Sequence, residues 1–304
     1  MTSERIKGHI CILGTNTIFG IFIPISKYLM GDCVSPLTLT MFRIFGAAVL
    51  FWIASAFIKD NKITLRALAW FFFFALTGVV LNQGLFIYAL EKTSPIDASV
   101  ILTATPFSAL FISAFWLKDK ITMRKLAGIL TGALGAIWLI KTAAGAAGGS
   151  GSLFGDLIVL FTTVCAATYF TTSKALAKEY SPITIMKWMF TFSFVILSPF
   201  FFGCRDELAG LGKLGAWDWA GVLYVVAGAT FLAYLLMIMG IKRMRPTTVA
   251  MYIYVQPIVS SAVAIAVGQD NFSWAKLAAS ILVFAGVYIV TTSPRTEDSA
   301  EKGA

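Results

Sequence analysis

Polar side chains able to touch a solute stand at matched places in an otherwise apolar chain. Thr103, Thr105 and Pro106 occur in one apolar run, and Tyr254, Gln256 and Pro257 in another. Proline cannot donate to the carbonyl four residues earlier, so each predicts a helix kink that frees the carbonyls of Leu102 and Ile253 for water, a solute or a neighbour. Hydroxyls and an amide beside two such kinks suit a binding site or a gate; a bend for packing alone is the other reading. Asn16, Asn82, Gln83 and Tyr234 add amides and a phenol. These groups suit a zwitterion or a nucleobase edge, and equally a hydrogen bond between helices. Arg43 lies about 10 Å into its run, deep enough to meet a carboxylate or helix-end carbonyls. Lys27 and Lys174, near run ends, read as side chains snorkelling to headgroups.

Other chemistries lack their parts. His9 is the single histidine, and Cys11, Cys33, Cys165 and Cys204 form no C-x-x-C pair. No metal site follows, since zinc needs clustered Cys, His or carboxylate ligands. Cys33 and Cys204 fall near loops on one side, where a disulfide is open to them; free small hydrophobes are the plainer reading. There is no H-E-x-x-H, no mid-run pair of aspartates, no Ser–His pair and no G-x-x-x-x-G-K-[ST]. Catalytic residues and cofactors are therefore expected to be none, and an ATP-driven pump within this chain is excluded.

The elements that must position these residues are apolar throughout. Of 304 residues, 58% are hydrophobic and 13% charged, with mean hydropathy +0.83; soluble domains carry roughly 25% charge. Apolar runs near 8–29, 36–58, 67–90, 95–117, 124–141, 154–174, 182–202, 217–240, 246–268 and 274–292 each approach the ~20 residues of a helical membrane crossing. Helices are expected because lipid tolerates no unpaired backbone, and the alternating strands of a barrel are missing. The first run starts with Arg5 and Lys7 but is too long for a signal peptide and lacks a small-x-small cleavage site.

Basic residues gather in alternate loops: Lys59, Lys62 and Arg66, then Lys118, Lys120, Arg124 and Lys125, then Lys174 and Lys178, then Lys242, Arg243 and Arg245. Both termini in the cytoplasm follows from the positive-inside rule. The net charge of +9 thus reports topology, and no nucleic-acid partner is expected. Tyr28, Tyr88, Trp116, Trp138, Trp188, Trp217 and Trp219 fall at predicted interfaces, as an aromatic belt does.

The chain is written twice. A shift of 151 residues carries Pro95 to Pro246, Pro106 to Pro257, Asp119 to Asp270, Lys125-Leu126-Ala127 to Lys276-Leu277-Ala278 and Gly135 to Gly286. Gln83 falls on Tyr234 in the same register. Shifts of 147 and 146 carry Gly8 to Gly155, Asn16 to Thr163, Lys27 to Lys174 and Ser35-Pro36 to Ser181-Pro182. The expected organisation is a first five-helix repeat over 1–142, a Gly/Ala/Ser linker over 143–152, a second repeat over 153–292 and a polar tail over 293–304. Five is odd, so the second copy enters the membrane from the opposite face. The fold class is all-α integral membrane, with ten transmembrane helices in two inverted repeats, a plan common among secondary transporters. Gly128, Gly132 and Gly135 permit close helix approach between halves or protomers, so a homodimer is permitted.

With these features the sequence resembles the EamA-type carriers of the drug/metabolite transporter superfamily over essentially residues 8–292. The resemblance rests on Phe19-Gly20, Lys27, Ser35-Pro36, Arg43, Ala89, Thr105-Pro106 and the Asp119–Gly135 stretch. Lys174, Ser181-Pro182, Gln256-Pro257 and the Asp270–Gly286 stretch carry it in the second copy. The family usually has Glu where Asp119 and Asp270 stand, and Met189 occupies the place equivalent to Arg43. The resemblance implies export or exchange of small metabolites, often amino acids, through a central cavity lined mainly by spans 1, 3, 4, 6, 8 and 9.

The expected protein is a multi-pass carrier in the plasma (inner) membrane, working by alternating access on a small-molecule metabolite. A passive channel or an intramembrane enzyme is the alternative. Glu91, Asp97, Asp156 and Asp218 lie at span ends and no carboxylate lies mid-span. Proton relays normally use buried Asp, Glu or His, so exchange or facilitated diffusion driven by the solute's own gradient is expected.

Overall fold

A computed structural model describes residues 3–32, 34–58, 63–90, 92, 101–144, 152–201, 214–266 and 273–292. Every regular element among them is helical. In chain order these are α1 (Ser3–Asp32), α2 (Pro36–Ser55), α3 (Leu65–Ala75), a first π segment (Leu76–Gly84), α4 (Leu85–Leu90), α5 (Thr105–Leu117), α6 (Met123–Ala144), α7 (Leu153–Glu179) and α8 (Pro182–Phe201). They continue as α9 (Ala216–Leu223), a second π segment (Tyr224–Leu232), α10 (Ala233–Arg243), α11 (Pro246–Met251), a 3-10 turn (Tyr252–Tyr254), α12 (Val255–Ala266) and α13 (Trp274–Thr291).

Eight helical stretches among the described residues are long and apolar enough to cross a membrane. The other two expected spans are interrupted. Span 4 is described as the short apolar helix α5, and span 9 is divided by the 3-10 turn into α11 and α12. The proline-bearing runs are thus broken where smooth kinks were expected. Pro106 is the second residue of α5 and Pro257 the third of α12. The first turn of a helix is where a missing N–H costs least.

The repeated Ser-Pro pairs have a local explanation. Ser35 caps α2 by accepting from the Thr38 N–H at 3.2 Å, and Ser181 caps α8 by accepting from the Thr184 N–H at 3.1 Å. The proline that follows each is preset for the first helical position. The α6 and α13 starts match in the same way, with Thr122 accepting from Lys125 N–H and Ser273 from Lys276 N–H, both at 3.2 Å.

The chain forms two compact units, and each draws on both sequence copies. The first comprises Met1–Tyr88 with Ser173–Arg243, the second Ala89–Thr172 with Met244–Ala304. In the first unit α2 and α8 pack in opposite directions: Phe45 meets Phe194, Phe51 stacks on Phe190 at 5.5 Å, and Trp52 meets Trp188. Residue numbers rise along α2 as they fall along α8. The α1–α10 pair does the same, Glu4 meeting Arg243 and Thr15 donating to the Ala233 carbonyl at 3.2 Å. Leu29, Val34, Leu39, Val222 and Val225 form a buried cluster at one end of this unit.

In the second unit α6 and α13 are also antiparallel and touch backbone to backbone. A Cβ on Gly286 would fall 2.6 Å from the Gly128 carbonyl oxygen, and one on Gly135 would fall 2.8 Å from the Ala279 carbonyl oxygen. The second contact is the first with the copies exchanged, because Gly128 corresponds to Ala279 and Gly135 to Gly286. Only glycine fits such an approach.

Large apolar side chains point outward from both units, Phe115 and Trp217 being 86% exposed and Met123 81%. Such a surface belongs in lipid. Tyr28, Tyr88, Trp116, Trp138, Trp217 and Trp219 are exposed, as a belt requires. Trp188 instead packs on Trp52 and Phe192. Cys11 and Cys165 are buried free thiols. Cys33, Cys204, Asp270, most of the linker, the tail and the Lys27 side chain lie outside the described residues.

Candidate solute-binding site

Within the first unit, α2 carries Arg43 into a setting built by both copies. Its Nε donates to Thr230 Oγ1 at 3.1 Å, and its guanidinium carbon lies 4.5 Å from the Phe22 ring centroid. Thr230 in turn donates to the Val225 carbonyl, five residues back, at 2.8 Å. That spacing belongs to the wider π turn, in which each backbone bond reaches one residue further than in an α-helix. Tyr234, one turn beyond Thr230, meets Phe19 and Phe190 edge-on at 5.9 and 5.2 Å. Arg43, Thr230 and Tyr234 are all buried.

The two π segments overlap in repeat register, since residues 76–81 correspond to 227–232. Such segments concentrate at functional sites. The first one holds Asn82 and Gln83, both half-buried. Beside them a Cβ on Gly84 would meet no atom within 4 Å, so there is open space at that turn. Asn16 is buried on α1 and donates to its own helix, to the Ile12 carbonyl at 2.8 Å.

The remaining sequence candidates lie in the second unit. Tyr254 donates its hydroxyl to the Thr103 carbonyl at 2.8 Å. Thr103 and Tyr254 are equivalent residues of the two copies, so this bond joins matching points of the broken spans. The Tyr254 ring lies over Gly132, where a Cβ would fall 2.7 Å from it. Thr105 donates to the Leu102 carbonyl at 2.7 Å, and the Val255 N–H bonds back onto Ile253 and Tyr252. The carbonyls that the prolines release are therefore engaged locally, where a solute or water was one expectation. Gln256 and Pro257 are half-buried and Pro106 is buried. Ser108 and Thr163 share a hydrogen bond of 3.2 Å, and Thr163 is the repeat partner of Asn16.

Asn16, Arg43, Asn82, Gln83 and Tyr234 thus belong to one unit, and Thr103, Thr105, Pro106, Tyr254, Gln256 and Pro257 to the other. Among them a hydrogen bond joins Thr103 with Tyr254, and Arg43 is tied to Thr230, which stands one turn before Tyr234 on the same helix face. Sequence reasoning missed Thr230 and Phe22. The signal for Thr230 was its place four residues before Tyr234, hence on the same helix face. It also assigned Lys125 to a loop. The ammonium is instead buried, 2.8 Å from Asp119 Oδ2 and 2.8 Å from the Lys120 carbonyl. Lys118, in left-handed conformation with φ 54°, ends α5 and turns the chain toward Asp119. Among the described residues no cluster of His, Cys, Asp and Glu is suited to a metal.

The family model described as the EamA-like transporter family matches residues 6–141 and again 153–292. The chain belongs to the EamA-like transporter family. The doubled match coincides with the doubled sequence pattern. A protein of Archaeoglobus fulgidus that bears the name uncharacterized transporter is 26% identical over 285 residues, covering 93% of this chain and 98% of that one. The Arabidopsis thaliana Protein WALLS ARE THIN 1 is 25% identical over 331 residues, covering 94% and 83%. A solved crystal structure shares the fold with TM-score 0.72 at 18% identity, covering 96% of this chain and 97% of that chain. This EamA-like protein is a multi-pass membrane transporter, and several of its relatives are named transporters.

Proposed function

We propose that the protein is an alternating-access carrier of amino acids or related small metabolites, made of two inverted five-span copies that cross the membrane ten times. The observation that carries this reading is the exchanged pair of contacts in the second unit, Gly128 with Gly286 and Gly135 with Ala279. Equivalent helices that meet antiparallel through exchanged residues are related by a two-fold axis perpendicular to them. An axis so placed lies in the membrane plane and makes outward-open and inward-open states near-equivalent. The opposed running of α2 and α8 supports the same relation in the first unit.

The residues proposed to meet solute are Arg43 and Tyr234, with Asn82 and Gln83 beside the open turn at Gly84. Pro106 and Pro257 keep the broken spans from closing into continuous helices, and Thr103 and Tyr254 link the breaks. Both termini face the cytoplasm and the host membrane is the plasma (inner) membrane. With no carboxylate in mid-span, the solute's own gradient drives transport.

Comparison of metabolites inside and outside cells with and without the protein identifies the solute. Counterflow in proteoliposomes then tests the mechanism. Unlabelled internal solute accelerates uptake of label for a carrier; equal uptake with and without it identifies a passive channel and overturns the proposal. Strict dependence on a proton or sodium gradient overturns the uncoupled mechanism.

A further inference from the structure

Arg43 carries a charge that its surroundings do not balance. It is 7% exposed, with one side-chain hydrogen bond to Thr230 and one ring contact with Phe22. Among the described residues it takes part in no ion pair, whereas Lys7 and Arg243 pair with Glu4, and Lys125 with Asp119. A guanidinium has five N–H donors and stays protonated. The bond to Thr230 uses the Nε–H, leaving the two terminal nitrogens, one edge of the planar fork that matches a carboxylate. Burying a cation without a counter-charge is costly, and a bound anion removes that cost.

The neighbouring groups suit such a ligand. Tyr234 is 4% exposed, and among the described residues its hydroxyl makes no hydrogen bond. Phe19 and Phe190 hold its ring in place, so a phenol donor waits near the guanidinium. The Phe22 ring lies against the cation, and the Thr230 bond restrains its rotation. Little ordering is then left to be done when a ligand arrives. The equivalent position in the second copy is Met189, fully buried. At this pair of equivalent positions the guanidinium therefore has no counterpart, and it orients a solute in one sense.

We propose that Arg43, with Tyr234, is the seat for the carboxylate of a small organic anion, so that the transported metabolite is a carboxylic acid in its ionised form. This rests on the carrier reading and narrows its substrate class. The test is the melting temperature of the purified detergent-solubilised protein, titrated at neutral pH with benzoate and butyrate and with their neutral amides. The acids are expected to stabilise the wild type saturably, with apparent affinity on the order of tenfold better than the amides. R43Q should abolish that preference, and Y234F should reduce it.

Equal effects of acid and amide on the wild type, or an R43Q protein that keeps the preference, overturn the proposal. If R43Q does not fold, the wild-type comparison decides, together with R43K. Lysine keeps the charge and loses the fork, so R43K should show a weaker preference, and an undiminished one counts against the bidentate seat. Acid preference without counterflow would keep the seat and remove the carrier. Counterflow of uncharged solutes alone, with no acid preference, would keep the carrier and remove the seat.

Discussion

Arg43 and Lys125 are two buried cations with different settings, and the difference separates a ligand site from a structural one. Lys125 has Asp119 at 2.8 Å and a carbonyl at the same distance. D119N should leave the ammonium without its counter-charge and destabilise the protein by roughly 2–4 kcal/mol, somewhat below a fully buried pair because Asp119 is 17% exposed. A lowered melting temperature checks this, and flux per folded molecule should stay close to wild type. T230V removes the acceptor for the Arg43 Nε–H. It should lower flux several-fold while membrane abundance holds, because the guanidinium keeps its charge and loses its orientation. Q83A should abolish flux of the identified metabolite at unchanged abundance; normal transport would remove Gln83 from the site.

At this scale the sequence exposed residue types but not partners. A buried arginine, four amides and two tyrosines could be picked out because polar groups are rare in apolar runs. That Thr230 would take the Arg43 bond could not, since a threonine in a membrane helix usually bonds its own backbone. Lys125 looked like a loop charge because its Asp119 partner lies six residues earlier, across a turn that no helical periodicity reveals.

Among the elements, boundaries were legible wherever local chemistry sets them. Ser35-Pro36 and Ser181-Pro182 mark the starts of α2 and α8 by capping and a preset φ. The π segments were not legible, because one extra residue per turn leaves no mark in composition. The breaks before Pro106 and Pro257 were foreseen as kinks, and their severity was not. P257A should let Tyr252–Ala266 relax toward a continuous helix, with flux lowered more than stability, as counterflow and melting temperature together would report. G286L would drive a side chain into the Gly128–Gly132 backbone of α6. It should abolish folded protein, measured as loss of a monodisperse peak in detergent.

For the molecule as a whole, the duplication explains more than any single motif. One pattern written twice with an odd number of spans predicts opposed orientations, and the positive loops agree with that arrangement. Exchanged contacts such as Gly128–Gly286 with Gly135–Ala279 are what the arrangement requires of packing. The solute was not legible, because amides, phenols and one guanidinium serve several metabolite classes. Only the uncompensated Arg43 narrows them.

The most direct measurement is cysteine labelling in intact cells on a background lacking the four native thiols. Single cysteines would be placed near residue 60, near residue 150 and in the tail beyond residue 293. Two inverted copies predict that an impermeant reagent reaches only the position near 150. Reaction at 60 and 150 from the same side would contradict the inversion and remove the carrier mechanism built on it.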